Sequence, residues 1–322
     1  MGHKTAAFEV LLAVTTEQME FMLHHMPTLA WDDFLLNPRR LRGSDFLMRW
    51  SQGVWSEERL IQAINTTTDY YAIPYGPSGT APDHDVRQFE LYFERLEAAG
   101  LGKIKRPDLL LFHKTDQSVV DGLIESYGGL GELPFIAEPD LSALLDRALL
   151  AVECENSLWK AEQMPDYHTP LRKQKRLGDK LGLRKNAVLP TIILKEEDLE
   201  PLQSWQDSIG IPIHIWHVFF DRAYGIAFDR ICELIEEGTV EPFKQVFQAP
   251  GGGISHKTIY KTHYHHAYNL GRSIDEPILS AQSIIDKNGH ILPYVTFTGG
   301  TLQLDQDALA ILARQTKARG KT

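Results

Sequence analysis

Two glutamates one residue apart follow an unbroken apolar run: Ala148-Leu149-Leu150-Ala151-Val152 leads straight into Glu153-Cys154-Glu155. A short apolar run bounded by charge reads as a strand buried on both faces. Side chains alternate along a strand, so Glu153 and Glu155 share one face while Val152 and Cys154 share the other. Two buried carboxylates side by side repel unless a cation or a proton resolves the repulsion. Upstream, Lys105-Arg106-Pro107-Asp108-Leu109-Leu110-Leu111-Phe112 sets a further carboxylate at the mouth of a second apolar strand. If these strands pair, Asp108, Glu153 and Glu155 converge on one point, and hard oxygen ligands completed by water suit Mg²⁺. Each motif alone has an ordinary reading, as a loop dipeptide or as the solvated face of an edge strand. Together, each on a buried strand, they point to a metal site.

The elements that must hold these residues alternate. Residues 1 to about 70 read as helical, with Thr15-Thr16 as an N-cap and further helical patterns at Ser44–Trp50 and from Glu57. A Gly- and Pro-rich loop from Tyr71 to Pro82 precedes a helix capped near Asp85, Val86 to Ala99. The Asp108 strand follows, then an irregular Gly-rich stretch from Thr115 to about Asp140. After the Glu153 strand come a helix from Ser157 to Met164, a strand at Val188–Leu194, and a helix from Asp198 to Ser208. A strand at Ile211–Phe220 and a helix at Ala223–Glu237 complete this series. Strands alternating with helices predict a layered α/β core. Asn288-Gly289 predicts a hairpin between 278–285 and 291–297, and a last helix spans Asp305 to Arg314.

At 322 residues, 43% hydrophobic and 24% charged, the chain has the composition of an ordinary globular protein. It has no run of membrane-spanning length and no signal-peptide pattern, so a cytoplasmic location is expected. Two cysteines, Cys154 and Cys232, exclude a disulfide framework and a zinc knuckle. The net charge of −10 argues mildly against nucleic acid, but charge is segregated. Between Thr169 and Asn186, Arg172, Lys173, Lys175, Arg176, Lys180, Arg184 and Lys185 face the single acid Asp179. Such a segment near a metal site is compatible with a phosphodiester substrate.

Other constellations carry less. Arg39, Arg40 and Arg42 form a basic turn, read either as a solvated face or as phosphate contacts. Gly251-Gly252-Gly253-Ile254-Ser255-His256-Lys257-Thr258 misses the phosphate-loop pattern because His256 replaces the last glycine, so no nucleotide cofactor is expected. His263, His265 and His266 lack a thiol or carboxylate at metal-ligand spacing. With Lys257, Tyr260, Lys261 and Tyr264 interleaved, they read better as DNA contacts. His214 and His217 lie in an apolar strand and read as core or cleft histidines.

The order of elements from about 85 to 236, with Pro107-Asp108 and Glu153-x-Glu155 on successive strands, resembles the PD-(D/E)xK nuclease core. More narrowly it resembles a type II restriction endonuclease. The resemblance implies a restriction-endonuclease-like core, a mixed central sheet flanked by helices, at 85–240. Around it stand a helical N-terminal region at 1–84 and a C-terminal hairpin-and-helix addition at 241–322, with roles in DNA contact or dimerisation. It implies Mg²⁺-dependent, sequence-specific double-strand cleavage of DNA by a homodimer, each protomer cutting one strand. Asp108 and Glu153 would hold the metal, with Glu155 a further ligand or a water-positioning base. Glu90 or Glu94 would be the acid that the preceding helix often adds. One position departs: the family usually has Lys where this chain has Glu155. Lys160, on the helix expected next, is the candidate for a displaced ammonium, with a structural role as the alternative. Arg39, Arg40, Arg42, Arg172, Lys173, Lys175, Arg176, Lys257, Lys261, His263 and His265 are the expected DNA contacts. Two rivals stand beside this: a structure-directed repair or recombination nuclease of the same core, and a non-catalytic DNA-binding protein.

Overall fold

The computed structural model describes residues 43–82, 85–248, 254–285 and 289–319. The helix expected from Thr15 and the basic turn of Arg39, Arg40 and Arg42 lie outside them, as do the Gly251–Gly253 run and Lys287-Asn288.

Seven strands form one mixed sheet in the order β1-β2-β3-β7-β8-β11-β14. They are β1 (Tyr70–Pro74), β2 (Leu109–His113), β3 (Leu150–Asn156), β7 (Ile213–Val218), β8 (Arg222–Ala227), β11 (Tyr268–Ser273) and β14 (Leu302–Leu304). Only β3 and β7 run parallel; the other neighbours are antiparallel. The sheet takes strands from each of the stretches 1–84, 85–240 and 241–322. A second sheet joins β6 (Thr191–Lys195), β10 (Ile254–His263) and β9 (Pro242–Gln248). Smaller hairpins pair β4 (Arg172–Gln174) with β5 (Lys180–Gly182), and β12 (Ile278–Ile285) with β13 (Ile291–Thr298).

Both faces of the main sheet are covered, which is why Leu109–Phe112 of β2 is apolar without alternation and every residue of β7, His214 and His217 included, is buried. On one face, α1 (Ser44–Asn65) and α8 (Gln306–Arg319) bring Leu60, Ile64, Ala308 and Leu312 onto Leu111, Val152 and Trp216. On the other, α4 (Gln117–Ser126), α6 (Glu196–Ile209) and α7 (Phe228–Glu236) bring Val120, Leu202 and Ile231 onto Leu110, Ala151 and Ile215. The short α2 (Pro77–Thr80) and α3 (Val86–Ala98) sit at the β1 side, and α5 (Ser142–Leu145) precedes β3. None of the helices among the described residues is long and apolar enough to cross a membrane.

Four expectations change. Tyr70–Pro74 is a strand rather than a loop: Tyr70, Ala72 and Ile73 are buried, and Pro74 is tolerated because β1 lies at the sheet edge. Gln117–Ser126 is helical, its buried Val120 and Ile124 spaced one turn apart. The helix expected at Ala223 starts only at Phe228, since Arg222–Ala227 doubles back on β7. Small residues there make room for a neighbour: the Tyr268 ring fills the space where a Cβ on Gly225 would stand. Its hydroxyl takes the indole proton of Trp216 at 2.7 Å and lies 2.8 Å from His214 Nδ1, which satisfies His214 within the core. Finally, Ser157–Met164 holds only a short 3₁₀ turn at Ala161–Gln163, because the Asp221 carboxylate captures the N–H groups of Ala161 and Glu162.

Arg59 ties α1 to the far end of the sheet. Its buried guanidinium donates to the carbonyls of Phe219, Phe220 and Gly300 and to Ser273 Oγ, over the Trp55 ring. Burial lowers its pKa only to about 10, so it stays charged at neutral pH. Arg59→Met keeps the volume but strands those acceptors, and about 3 kcal/mol of stability is expected to go. Urea unfolding reads this, and an unchanged midpoint would refute it.

Candidate active site

The chain arranges its acids at one end of the β2–β3–β7 ladder. Pro107-Asp108 enters β2 beside the turn after β1, where Tyr75 N–H and Gly76 N–H donate to the Asp108 carbonyl at 2.7 and 3.2 Å. The approach is close enough that a Cβ on Gly76 would lie 3.0 Å from the Pro107 carbonyl oxygen. The Asp108 carboxylate accepts from Cys154 N–H at 2.7 Å and from Ser78 Oγ at 3.1 Å. Asp108 thus fastens the mouth of β2 to β3 between its two glutamates.

Glu153 is 3% exposed. Lys105 Nζ binds its Oε1, while its Oε2 is buried with no hydrogen-bond partner among the described residues. Glu155, half-buried, accepts from Lys195 Nζ at 2.7 Å. Asp198, in the first turn of α6, lies 3.7 Å from both Lys105 Nζ and Lys195 Nζ. Oxygen atoms of Glu153, Glu155 and Asp198 all come within 4.8 Å of one another. Among the described residues this is the one cluster of that kind.

Electrostatics follow from the crowding. Burial, and then the charge of Asp108, pushes the Glu153 carboxyl well above the ordinary range, with Lys105 opposing. Glu57, reaching in from α1, is raised in the same way by burial and by Asp108 and Glu153. Burial also raises Glu155, against the pull of Lys195. Burial pulls the Lys195 and Lys105 ammonium groups down, but the surrounding carboxylates outweigh it and hold both above the ordinary lysine range. His217 sits beside Glu155 in the parallel register of β3 and β7, buried, with both ring nitrogens unpartnered among the described residues. Burial and Lys195 press it down to about 3, so it is neutral there.

A stability prediction follows. A carboxyl whose folded pKa is raised contributes stability that is present below its unfolded value, near 4.5 for Glu153, and lost as pH climbs through the folded one. In EDTA, wild-type protein should therefore lose thermal stability relative to Glu153→Gln, which lacks that titration, as pH climbs above the unfolded value towards the raised folded one. Parallel melting curves for the two proteins would refute the shift.

Several expected residues fall elsewhere. Lys160 is away from the acids: without the expected helix the chain leaves β3 through exposed Leu158 and Trp159, and Lys160 Nζ pairs with Glu276. The ammonium groups at the site are Lys105 and Lys195. Glu90 and Glu94 are buried on α3, while the helix-borne acid that acts on Asp108 and Glu153 is Glu57. Arg172, Lys173 and Lys175 are exposed on the β4–β5 hairpin, and Arg176 pairs with Glu241. Lys257 is mid-strand and pairs with Glu197. Lys261, His263 and His265 lie in β10 and the turn after it. For Lys195 and Asp198 the sequence signals only the elements, a basic residue closing an apolar strand ahead of an acidic first helical turn, and not their place beside the acids. Glu57 has no signal beyond its helix.

Residues 167–318 match one family model. The matching family model is described as AccI restriction endonuclease. The match includes Lys195, Asp198 and His217, whereas Glu57, Asp108, Glu153 and Glu155 precede it. No curated protein and no solved structure matches the chain.

Proposed function

We propose that this chain is a type II restriction endonuclease that makes Mg²⁺-dependent, sequence-specific double-strand cuts in DNA at the site formed by Asp108, Glu153, Glu155 and Asp198. The observation that carries the reading is the buried, unpartnered Oε2 of Glu153, set among two further carboxylates. An anionic oxygen in that position costs free energy unless a cation meets it or a proton neutralises it, and the two further carboxylates favour a cation. The donors are all hard oxygens, with no imidazole or thiolate in the group, which fits Mg²⁺ over Zn²⁺. The antiparallel β2–β3 pair, with β7 parallel to β3, is the arrangement expected of a restriction-endonuclease-like core.

Hydrolysis adds a water oxygen to phosphorus and breaks one P–O ester bond, leaving a phosphate end and a hydroxyl end. When bound, Mg²⁺ supplies Lewis-acid polarisation and a lowered pKa for its water. Glu153, Glu155 and Asp198 would hold it, with Asp108 beside them, fixed by Cys154 N–H and Ser78. Lys195 and Lys105 present fixed positive charge to the oxygens that gain negative charge in the transition state. Lys195 thereby takes the place of the lysine that usually stands at the Glu155 position. The exposed bases of the β4–β5 hairpin and the half-buried bases of β10 contact the DNA backbone, and a homodimer cuts both strands of a palindromic site.

Supercoiled plasmid tests this directly. Discrete linear fragments with Mg²⁺ and intact plasmid with EDTA are expected. A smear would favour a structure-directed or nonspecific nuclease of the same core, and intact plasmid in both would favour a non-catalytic DNA-binding protein.

A further inference from the structure

The outward face of the β6–β10–β9 sheet leads away from the acids. Alternation along β6 puts Thr191 and Ile193 on the same side as Lys195, while Ile192 and Leu194 point into the core. Directly across on β10, His263 pairs with Thr191 and Lys261 with Ile193. At the Thr191 end this face opens into a cavity of about 290 Å³. Arg176, Arg184, Lys185, Lys261, His263 and His266 converge on its wall.

The charges there are not balanced. Glu241 holds Arg176, and Asp166, outside the wall, holds Arg184 at 3.0 Å. Lys261 pairs with no carboxylate among the described residues; it lies 4.0 Å from the Phe243 ring centroid, and burial lowers its ammonium below the ordinary range. Lys185 is exposed at the rim. Burial, and then His266, His265 and Arg176, bring His263 down to about 4. An anion in the cavity would meet two ammonium groups and two imidazole edges, with the one carboxylate of the wall, Glu241, already engaged by Arg176.

We infer that this cavity binds a single backbone phosphate of the DNA, displaced along the strand from the phosphate being cut. The inference rests on the nuclease reading above. Four residue steps along β6 lead from Thr191 to Lys195, about 13 Å at ~3.3 Å per residue. At ~3.4 Å of helix rise per nucleotide that corresponds to about four phosphates for a duplex lying along β6, and fewer along the backbone path. The pocket therefore fixes the register of the duplex relative to the acids, through a contact that carries no base information.

The test uses duplexes containing the site mapped in the Mg²⁺ digest, each with one phosphate neutralised as a methylphosphonate. Binding is measured in EDTA by fluorescence anisotropy. Wild-type protein should lose about tenfold in affinity at one or two phosphates, two to four steps from the cut. Lys261→Gln, and independently the exposed Lys185→Gln, should each weaken binding of the unmodified duplex by a similar factor. Each should then be insensitive to that same methylphosphonate, with the salt slope reduced by about one. Losses that multiply at every position, or variants that bind like wild type, would overturn the pocket while leaving the nuclease intact. Failure of the wild-type protein to bind any duplex would instead overturn the nuclease reading itself.

Discussion

Glu153→Gln should reduce DNA cleavage by more than about a thousandfold while duplex affinity in EDTA stays within about threefold of wild type. The substitution keeps the shape of the side chain and an oxygen for Lys105 Nζ, but removes the charge at the buried Oε2. It also relieves the cost of burying an anion beside Asp108, so the variant should melt no lower than wild type without metal. Loss of activity can then be separated from loss of fold. Single-turnover cleavage of a mapped site, together with a melting curve, reads both. A variant that folds, binds and cuts at the wild-type rate would remove Glu153 from the site.

Lys195→Met should lower kcat by about a hundredfold, and Lys195→Arg should recover a substantial part of it. The reason is the state of the group. Glu155, Asp198 and Glu153 outweigh burial and keep the ammonium protonated across the working pH range, so it acts as a fixed charge and not as a base. A guanidinium can replace a fixed charge but cannot replace a base. The pH–rate profile of Lys195→Arg should accordingly keep the wild-type shape. Lys160→Met, whose lysine pairs with Glu276, should leave kcat unchanged. The reverse pattern, with Lys160 essential and Lys195 dispensable, would return the ammonium role to Lys160.

The parts of this site legible in the sequence are those set by local rules. Glu153 and Glu155 follow from alternation along an apolar strand, and Asp108 from the Pro-Asp entry to another. That β2 and β3 pair was a natural inference from two neighbouring apolar runs, and the register bears it out, with Leu109 opposite Val152. Lys195 and Asp198 were not legible as site residues because they arrive about forty positions downstream. Only the placement of β6 beside β7 and the start of α6 at Glu196 carry them to Glu155. Glu57 depends on which end of the sheet α1 covers, and helical periodicity names a face but not an end. Lys160 lies away from the acids for a local reason. Ser157-Leu158-Trp159-Lys160 has helical composition, yet Asp221 binds the next two backbone N–H groups in a tight turn. The strand β8 was hidden similarly, since Arg222–Ala227 runs without a break into the amphipathic pattern of α7.

The most direct measurement is a calorimetric titration of Mg²⁺ into wild-type protein and into Glu153→Gln, without DNA. If Glu153, Glu155 and Asp198 form a cation site, wild-type protein binds Mg²⁺ saturably and the variant shows at least a tenfold weaker isotherm, about 1.4 kcal/mol. Absence of a saturable heat in the wild type, or an isotherm untouched by the substitution, would contradict it.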